Sequence, residues 1–134
     1  MDLKKRQTLQ FGTVLLIAGL SWASAAEKAA PVTLDPGAVT LINVLTCDPA
    51  NQAALVDELR ENTNAVVTTL DGWKSTSLVV SQDGTHITII SQWRDAAAVA
   101  AMRADERMKT HFPKVGALAK VDSVFGGIAY TRHA

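Results

Sequence analysis

The sequence predicts an α+β fold in which four antiparallel strands form a ferredoxin-like sheet and both helices lie on one face. Three observations support this prediction. Two β-rich runs flank Asp83-Gly84, a pair typical of a tight hairpin because glycine accepts positive φ without penalty. Asp48 and Asp95 each precede a helical pattern, where aspartate is a preferred N-cap. A strand at each end completes the order β-α-β-β-α-β, which is the split βαβ pattern.

The first strand and the first helix lie upstream of the hairpin. The run from Val39 to Thr46 predicts a strand, with Asn43 as the polar interruption of an apolar face. Asp48-Pro49 supplies an N-cap and a proline at the first helical position. An amphipathic helix follows as far as Leu70, and Asp71-Gly72 stops it. The charged positions predicted to face outward are Asp57, Glu58, Arg60 and Glu61.

The rest of the chain supplies three strands and two helical segments. They are predicted as strands over 73–81, 86–93 and 120–131, a helix over 96–104, and a short helical segment capped by Asp105. Pro113 is expected to end or bend that short segment, because proline lacks a backbone N–H. Gly126-Gly127 in the last strand indicates a bulge or a close backbone approach.

The first residues have the pattern of a secretory signal peptide. Lys4, Lys5 and Arg6 precede an apolar run over 11–20, and Ala23-Ser24-Ala25 resembles a cleavage site. The apolar run is about half of the ~20 residues that a spanning helix needs, so no stable membrane insertion is expected after cleavage. We therefore predict a signal peptide over 1–25 and a secreted or periplasmic protein, which mass spectrometry of the exported N-terminus would test.

The length and composition of the chain after residue 25 predict one small domain. Residues 26–38 include two prolines and a glycine and are predicted as a flexible linker, which leaves a domain over 39–134. Without Asp2, Lys4, Lys5 and Arg6, ten basic and twelve acidic residues remain, a net charge of −2. This balance speaks against nucleic-acid binding. Cys47 is the only cysteine, so no intrachain disulfide forms, and a small buried side chain at a strand end is expected there.

The sheet face without helices is predicted to be too apolar to remain in water. The residues assigned to it are Ile42, Val44, Leu78 and Val80. Because an exposed apolar face of this kind is unfavourable, a second copy of the chain is its simplest cover. The sequence therefore predicts a homodimer.

The sequence contains none of the motifs that are typical of binding a metal, a phosphate or a nucleotide cofactor. A cleft between the sheet and its helices is the expected site, with few polar groups inside it. The candidates for such groups are Asn43, His86, Trp93, Arg103, His111 and Tyr130. Five of them have a simpler interpretation as well. Trp93 would be core, His86 an exposed hairpin residue, His111 a residue that rests on the core beside Met108, Arg103 a solvated helix residue, and Tyr130 an anchor of the last strand.

Four short motifs, in this order and spacing, resemble the antibiotic biosynthesis monooxygenase family. They are Asp71-Gly72-Trp73, Asp83-Gly84-Thr85, Gln92-Trp93-Arg94-Asp95 and His111-Phe112. The resemblance implies a dimeric α+β barrel built from two ferredoxin-like subunits. It also implies oxidation of phenolic or quinol substrates by O₂ without metal or flavin, while one branch of the family binds and degrades haem.

The resemblance also assigns roles to individual residues. Trp93 looks like the tryptophan of the polyketide-oxidising branch, but Ile89 and Val99 stand where that branch has an asparagine and a tyrosine. His111 looks like the haem-ligating histidine of the other branch, with Met102 in place of its haem-distorting tryptophan. The resemblance thus implies a catalytic set of Asn43, Trp93 and His111, and substrate contacts from Trp73, Ile89, Val99, Met102 and Phe112.

Two hypotheses about function remain open from the sequence. The first is a cofactor-independent monooxygenase that oxidises a small phenolic or quinol substrate with O₂. The second is a non-catalytic periplasmic dimer that binds haem or a quinone-like metabolite, which the apolar residues Ile89 and Val99 favour.

Overall fold

The computed structural model describes residues 30–134, and its compact C-terminal unit spans Leu34–Ala134. The predicted signal peptide over 1–25 and residues 26–29 of the predicted linker lie outside the described residues. Within residues 30–134, no helix combines the length and the apolar character that crossing a membrane requires.

Four strands and three helices make up the unit. They are β1 (Val39–Cys47), α1 (Gln52–Ala65), β2 (Trp73–Val80), β3 (His86–Trp93), α2 (Ala96–Ala104), α3 (Glu106–Gly116) and β4 (Ala119–Gly126). Short 3-10 turns occupy Pro49–Asn51 and Val67–Thr69. The strands form one antiparallel sheet in the order β2-β3-β1-β4. This is the predicted ferredoxin-like arrangement, so the fold class is confirmed.

Asp83 starts the hairpin and Asp95 and Asp105 cap α2 and α3 as predicted. The prediction for Asp48 is wrong in part, because it caps the 3-10 turn over Pro49–Asn51 while α1 begins at Gln52 without a side-chain cap. Gly84 has a φ of +79°, and the Asp83 carboxylate accepts hydrogen bonds from the side chains of Ser81 and Thr85. Hydrogen bonds from the side chain and the backbone N–H of Thr85, and then from Ser81, lower the pKa of Asp83 to about 2. Asp95 caps α2 by accepting from the backbone N–H of Ala98 at 2.8 Å. Local hydrogen bonding therefore fixes the course of the chain on both sides of β3.

The first helix is shorter than predicted. It ends at Ala65 rather than Leu70, and Val67–Thr69 forms a 3-10 turn instead. Residues 66–69 are all β-branched, and such side chains lose χ1 freedom in a helix. The chain then reverses at Gly72, whose φ is +83°.

The C-terminal helix and the last strand end at different residues from those predicted. Pro113 lies inside α3, which continues to Gly116. The helix continues because Val115 is buried in the core and the N–H of Ala117 donates to the Pro113 carbonyl. The last strand ends at Gly126 rather than Thr131. Gly126 pairs with Thr40, next to the first residue of β1, so the chain beyond it has no strand to pair with.

A bulge in β2 reverses two of the predicted side-chain directions. The pairing between β2 and β3 shifts register between Trp73 and Ser75. A shift of one residue moves every later side chain to the opposite face of the sheet. Leu78 and Val80 therefore pack against the core on the helix side, and their predicted position on the outer face is wrong. By alternation along the strands, the apolar residues of the outer face are Ile42, Val44, Val79, Ile90 and Val124.

The end of the predicted linker belongs to the fold. The backbone N–H of Asp35 donates to the side chain of Gln92 at 2.8 Å, and the Gln92 amide donates back to the Asp35 carbonyl and to Thr40. Ala38 is 4% exposed. The folded unit therefore begins at Leu34, before the predicted boundary at Val39.

Gly72→Ala is expected to lower the free energy of unfolding by about 2 to 5 kcal/mol. A Cβ at position 72 would lie 2.5 Å from the Cβ of Ala98, and φ there is positive. Left-handed backbone costs about 1 to 2 kcal/mol and overpacking about 1 to 3. Urea denaturation measures the loss. Gly127→Ala is the control, because its Cβ meets nothing within 4 Å, and equal stability of the two variants would contradict the packing argument.

Candidate active site

A cavity of about 460 Å³ lies between the sheet and the helices. Its floor is the helix-facing side of β1 and β3, including Leu41, Asn43, Ile89 and Trp93. Side chains of α1, α2 and α3 form its roof. Most of the lining is apolar, and the volume lies within the range of about 300 to 1,000 Å³ that is usual for small-molecule sites.

His111 is the histidine of the roof. It lies on the buried face of α3 between Met108 and Val115 and is 7% exposed. Its Nδ1 lies 3.1 Å from Oε1 of Glu58 on α1. An ionised carboxylate only accepts hydrogen bonds, so Nδ1 carries the proton in the neutral ring and Nε2 keeps a lone pair. A base is thus available at the cavity wall.

Asn43 is a polar residue in the centre of the floor. It lies in the middle of β1, between Ile89 on β3 and Ser123 on β4. The hydroxyl of Ser123 donates to its Oδ1 at 2.5 Å. This bond fixes the side-chain amide, and its nitrogen has no protein partner within residues 30–134. Asn43 can therefore donate a hydrogen bond to a ligand oxygen in the cavity.

Trp93 forms part of the wall with its N–H already occupied. The ring is 1% exposed, and Nε1 donates to Oγ of Ser91 at 3.2 Å. Ser91 in turn lies 3.5 Å from the carbonyl of Leu41. Trp93 is therefore held in one orientation and presents apolar ring surface to the cavity rather than a free donor.

The five predicted substrate contacts divide into two groups. Ile89, Met102 and Phe112 line the cavity. Val99 and Trp73 do not, because Val99 is buried in the core cluster that contains Trp93, and Trp73 packs on the edge of that cluster. Trp73 and Val99 therefore support the cavity wall from behind.

The other sequence candidates lie at its margin or away from it. His86 is exposed at the start of β3, and Tyr130 is 78% exposed. Arg103 lines the cavity, with its guanidinium 6.0 Å from the ring centre of Phe125. Phe112 also lines the cavity and remains 42% exposed, so this side is open to solvent.

Several residues that line the cavity were not predicted from the sequence. They are polar and include Asn62, Thr63, Thr76, Ser91 and Ser123. Ser91 could have been found, since strand alternation sets it on the same face as Ile89 and Trp93. Glu58 was predicted to face outward. It is instead half-buried against His111, a contact 53 residues away in sequence that no local pattern indicates.

Cys47 and the acidic residues take no part in the cavity. The Cys47 thiol is half-buried at the end of β1 and lies 3.6 Å from the Gly84 carbonyl. Burial, and secondly the charge of Asp48, raise the pKa of this thiol, which lowers its reactivity. Among residues 30–134, no group of three or more histidine, cysteine or acidic side chains could hold a metal ion.

The arrangement can carry out one kind of chemistry directly. His111, with a lone pair at Nε2, and Asn43, with an amide N–H to donate, both line an apolar space. Such a space strengthens a hydrogen bond to a developing oxyanion, because it excludes competing water. The site is therefore suited to removing a proton from a bound hydroxyl and holding the resulting anion.

The chain is similar to known proteins in sequence and in fold. Residues 38–114 match the family described as antibiotic biosynthesis monooxygenase. Tetracenomycin-F1 monooxygenase of Streptomyces glaucescens is 28% identical over 102 residues, which cover 76% of this chain and 91% of that protein.

Solved structures extend the likeness to the fold. The ActVA-Orf6 monooxygenase of Streptomyces coelicolor, solved with the ligand nanaomycin D, matches with a TM-score of 0.68 and 21% identity over 75% of this chain and 96% of that one. SnoaB of Streptomyces nogalater, a cofactor-independent oxygenase, matches with a TM-score of 0.61 and 20% identity. The match covers 71% of this chain and 96% of that one. The family match runs from Ala38 into α3 and includes His111, so the chain belongs to the antibiotic biosynthesis monooxygenase family.

Proposed function

We propose that the protein is a cofactor-independent monooxygenase that oxidises a small phenolic or quinol substrate with O₂. The observation that carries the proposal is the apolar cavity with a base, His111, and a donor, Asn43, on opposite walls. Family membership supports the reaction class, as do a relative named as a monooxygenase and a structural neighbour described as a cofactor-independent oxygenase.

The reaction needs a substrate that becomes electron-rich when it loses a proton. Nε2 of His111 takes the proton of the substrate hydroxyl, and Asn43 donates a hydrogen bond to the phenolate oxygen. The anion gives one electron to O₂, and the substrate radical and superoxide then combine at a ring carbon to form a peroxide. His111 returns its proton to the outer oxygen. The ring carbon loses its hydrogen as the O–O bond breaks, which leaves a new carbonyl and one water.

The apolar lining contributes by replacing water around the anion. A hydrated phenolate is stabilised by many water molecules, whereas in the cavity the donors are few and fixed. Trp93, Ile89 and Met102 supply flat or aliphatic surface against which an aromatic ring can pack. The protein therefore orients the substrate and favours its ionised form, while the substrate itself supplies the electrons.

Oxygen consumption by the purified protein tests the proposal. A panel of anthrones, naphthols and hydroquinones is supplied with and without a metal chelator, and products are identified by mass spectrometry with ¹⁸O₂. We expect one ¹⁸O atom in the product and a rate that the chelator leaves unchanged. A parallel titration with haem is followed at the Soret band. Tight haem binding without oxygen consumption on any substrate would favour the non-catalytic binding hypothesis instead.

We also propose that the protein works as a homodimer joined through the outer sheet face. Ile42 lies between Ile90 and Val124 in one row across the strands, and Val79 is 54% exposed. Burying such a face contributes about 25 cal/mol for each Å² of apolar surface. Light scattering at micromolar concentration should give about twice the monomer mass.

Ile42→Glu should return the monomer mass, since it sets a charge in the middle of this face. Thr46→Glu is the matched control, because Thr46 is exposed at the end of the same strand and should leave the dimer intact. A wild-type protein that stays monomeric at micromolar concentration would rule out this interface.

A further inference from the structure

We infer that Glu58 is a positioning residue, which holds His111 in the tautomer and orientation that the reaction requires. The inference deepens the proposed function and rests on it. Glu58 approaches His111 from α1, whereas His111 belongs to α3, so the contact joins two helices above the cavity. No sequence motif and no predicted role included Glu58.

The hydrogen bond sets the chemical state of the imidazole ring. In free histidine side chains the Nε2–H tautomer is favoured, which would leave the lone pair on Nδ1. Because the carboxylate of Glu58 accepts at 3.1 Å from Nδ1, the proton is held there and the lone pair moves to Nε2. Nearly complete burial keeps the ring from turning. The base is thus directed into the cavity only while Glu58 is present.

The same carboxylate stabilises the charge that appears during the reaction. When Nε2 takes the substrate proton, the ring becomes an imidazolium in a mostly apolar site, and Glu58 is the anion in contact with it. The other charged groups near this side of the ring are Glu61, Arg107 and Lys114 in a groove outside α1 and α3, and Arg103 at the cavity.

Arg107 is held by Asp105 and not by Glu58. Arg107 bonds to Asp105 through its Nη2 at 3.1 Å, and a further bond joins its Nε to the same carboxylate. The side chain of Glu58 is 30% exposed, so it reaches the outer groove on one side and the imidazole on the other. Glu58 is therefore in contact with both water and the ring, and its Oε1 is the oxygen that lies next to the imidazole.

Nitrogen-15 NMR of the ring, combined with kinetics, tests the role of Glu58. In the wild-type protein we expect His111, when neutral, to carry its proton on Nδ1. In Glu58→Ala the proton should move mainly to Nε2, and kcat should fall about 10- to 100-fold with little change in KM, the size expected for one charge-assisted hydrogen bond. Glu58→Gln keeps an acceptor without the charge, so it should retain the Nδ1–H tautomer and show a smaller fall in kcat.

Glu61→Ala is the matched control. It removes a carboxylate from the same helix and the same outer groove but not from the ring, so tautomer and kcat should stay as in the wild type. A wild-type ring protonated on Nε2, or an unchanged tautomer in Glu58→Ala, would overturn the inference. The NMR result does not depend on turnover, so a protein that oxidises no phenol but shows the expected tautomers contradicts the proposed function and leaves the Glu58 contact supported.

Discussion

His111→Ala should lower turnover of a phenolic substrate by about 10²- to 10⁴-fold at neutral pH, the usual contribution of a positioned general base. The change removes the only histidine that lines the cavity within residues 30–134. The deficit should narrow as the pH approaches the pKa of the substrate hydroxyl, because a growing fraction of the substrate then ionises without assistance. Steady-state oxygen consumption between pH 5 and 9 measures both effects.

His86→Ala provides the matched control for this experiment. His86 is exposed beside the hairpin and contacts Thr85 rather than the cavity, so its loss should leave turnover unchanged. Added imidazole should restore part of the activity of His111→Ala by occupying the vacated space. Full activity of His111→Ala across the pH range would remove His111 from the mechanism and leave a cavity that only orients and desolvates its substrate.

Trp93→Ala should lower the free energy of unfolding by about 3 to 5 kcal/mol, as truncation of a buried aromatic residue does. The ring is 1% exposed and packs in one core cluster with Leu41, Val99 and Met102. The variant also removes the hydrogen bond that the indole N–H of Trp93 donates to Oγ of Ser91. Urea denaturation followed by circular dichroism measures the loss.

Two further variants separate the packing of Trp93 from its hydrogen bond. Trp93→Phe keeps much of the ring but not the N–H, so it should cost about 1 kcal/mol, the usual net value of one hydrogen bond. Tyr130→Ala truncates an aromatic residue that is 78% exposed and should stay within about 0.5 kcal/mol of the wild type. If Trp93→Ala were as mild as Tyr130→Ala, the ring would not be part of the core.

The elements that could be predicted from the sequence are those fixed by local chemistry. Asp83-Gly84 forms the hairpin because the turn needs positive φ and its hydrogen bonds come from adjacent residues. Asp95 begins α2 because the N–H groups it caps lie in the next turn. The alternation of β3 placed Ile89 and Trp93 on the same face. Asn43 and His111 were likewise predicted to lie at the site, and both line the cavity.

Predictions failed where the outcome depended on a partner distant in sequence. The last strand stops at Gly126 because β1 offers nothing beyond Val39 to pair with. The bulge near Trp73, which reverses Leu78 and Val80, depends on the pairing between β2 and β3. The sequence over 73–81 shows neither the partner nor its register.

The sequence by itself determined the order of the elements, the caps, the hairpin and the residue types from which a site could be built. Only the tertiary structure decided that Glu58 meets His111 and that Ser123 orients Asn43. The physical reason is that a hydrogen bond acts over about 3 Å in space, whatever the separation along the chain. Glu58 and His111 are 53 residues apart, and Asn43 and Ser123 are 80 apart, so only the folded sheet and its helices bring them within that distance.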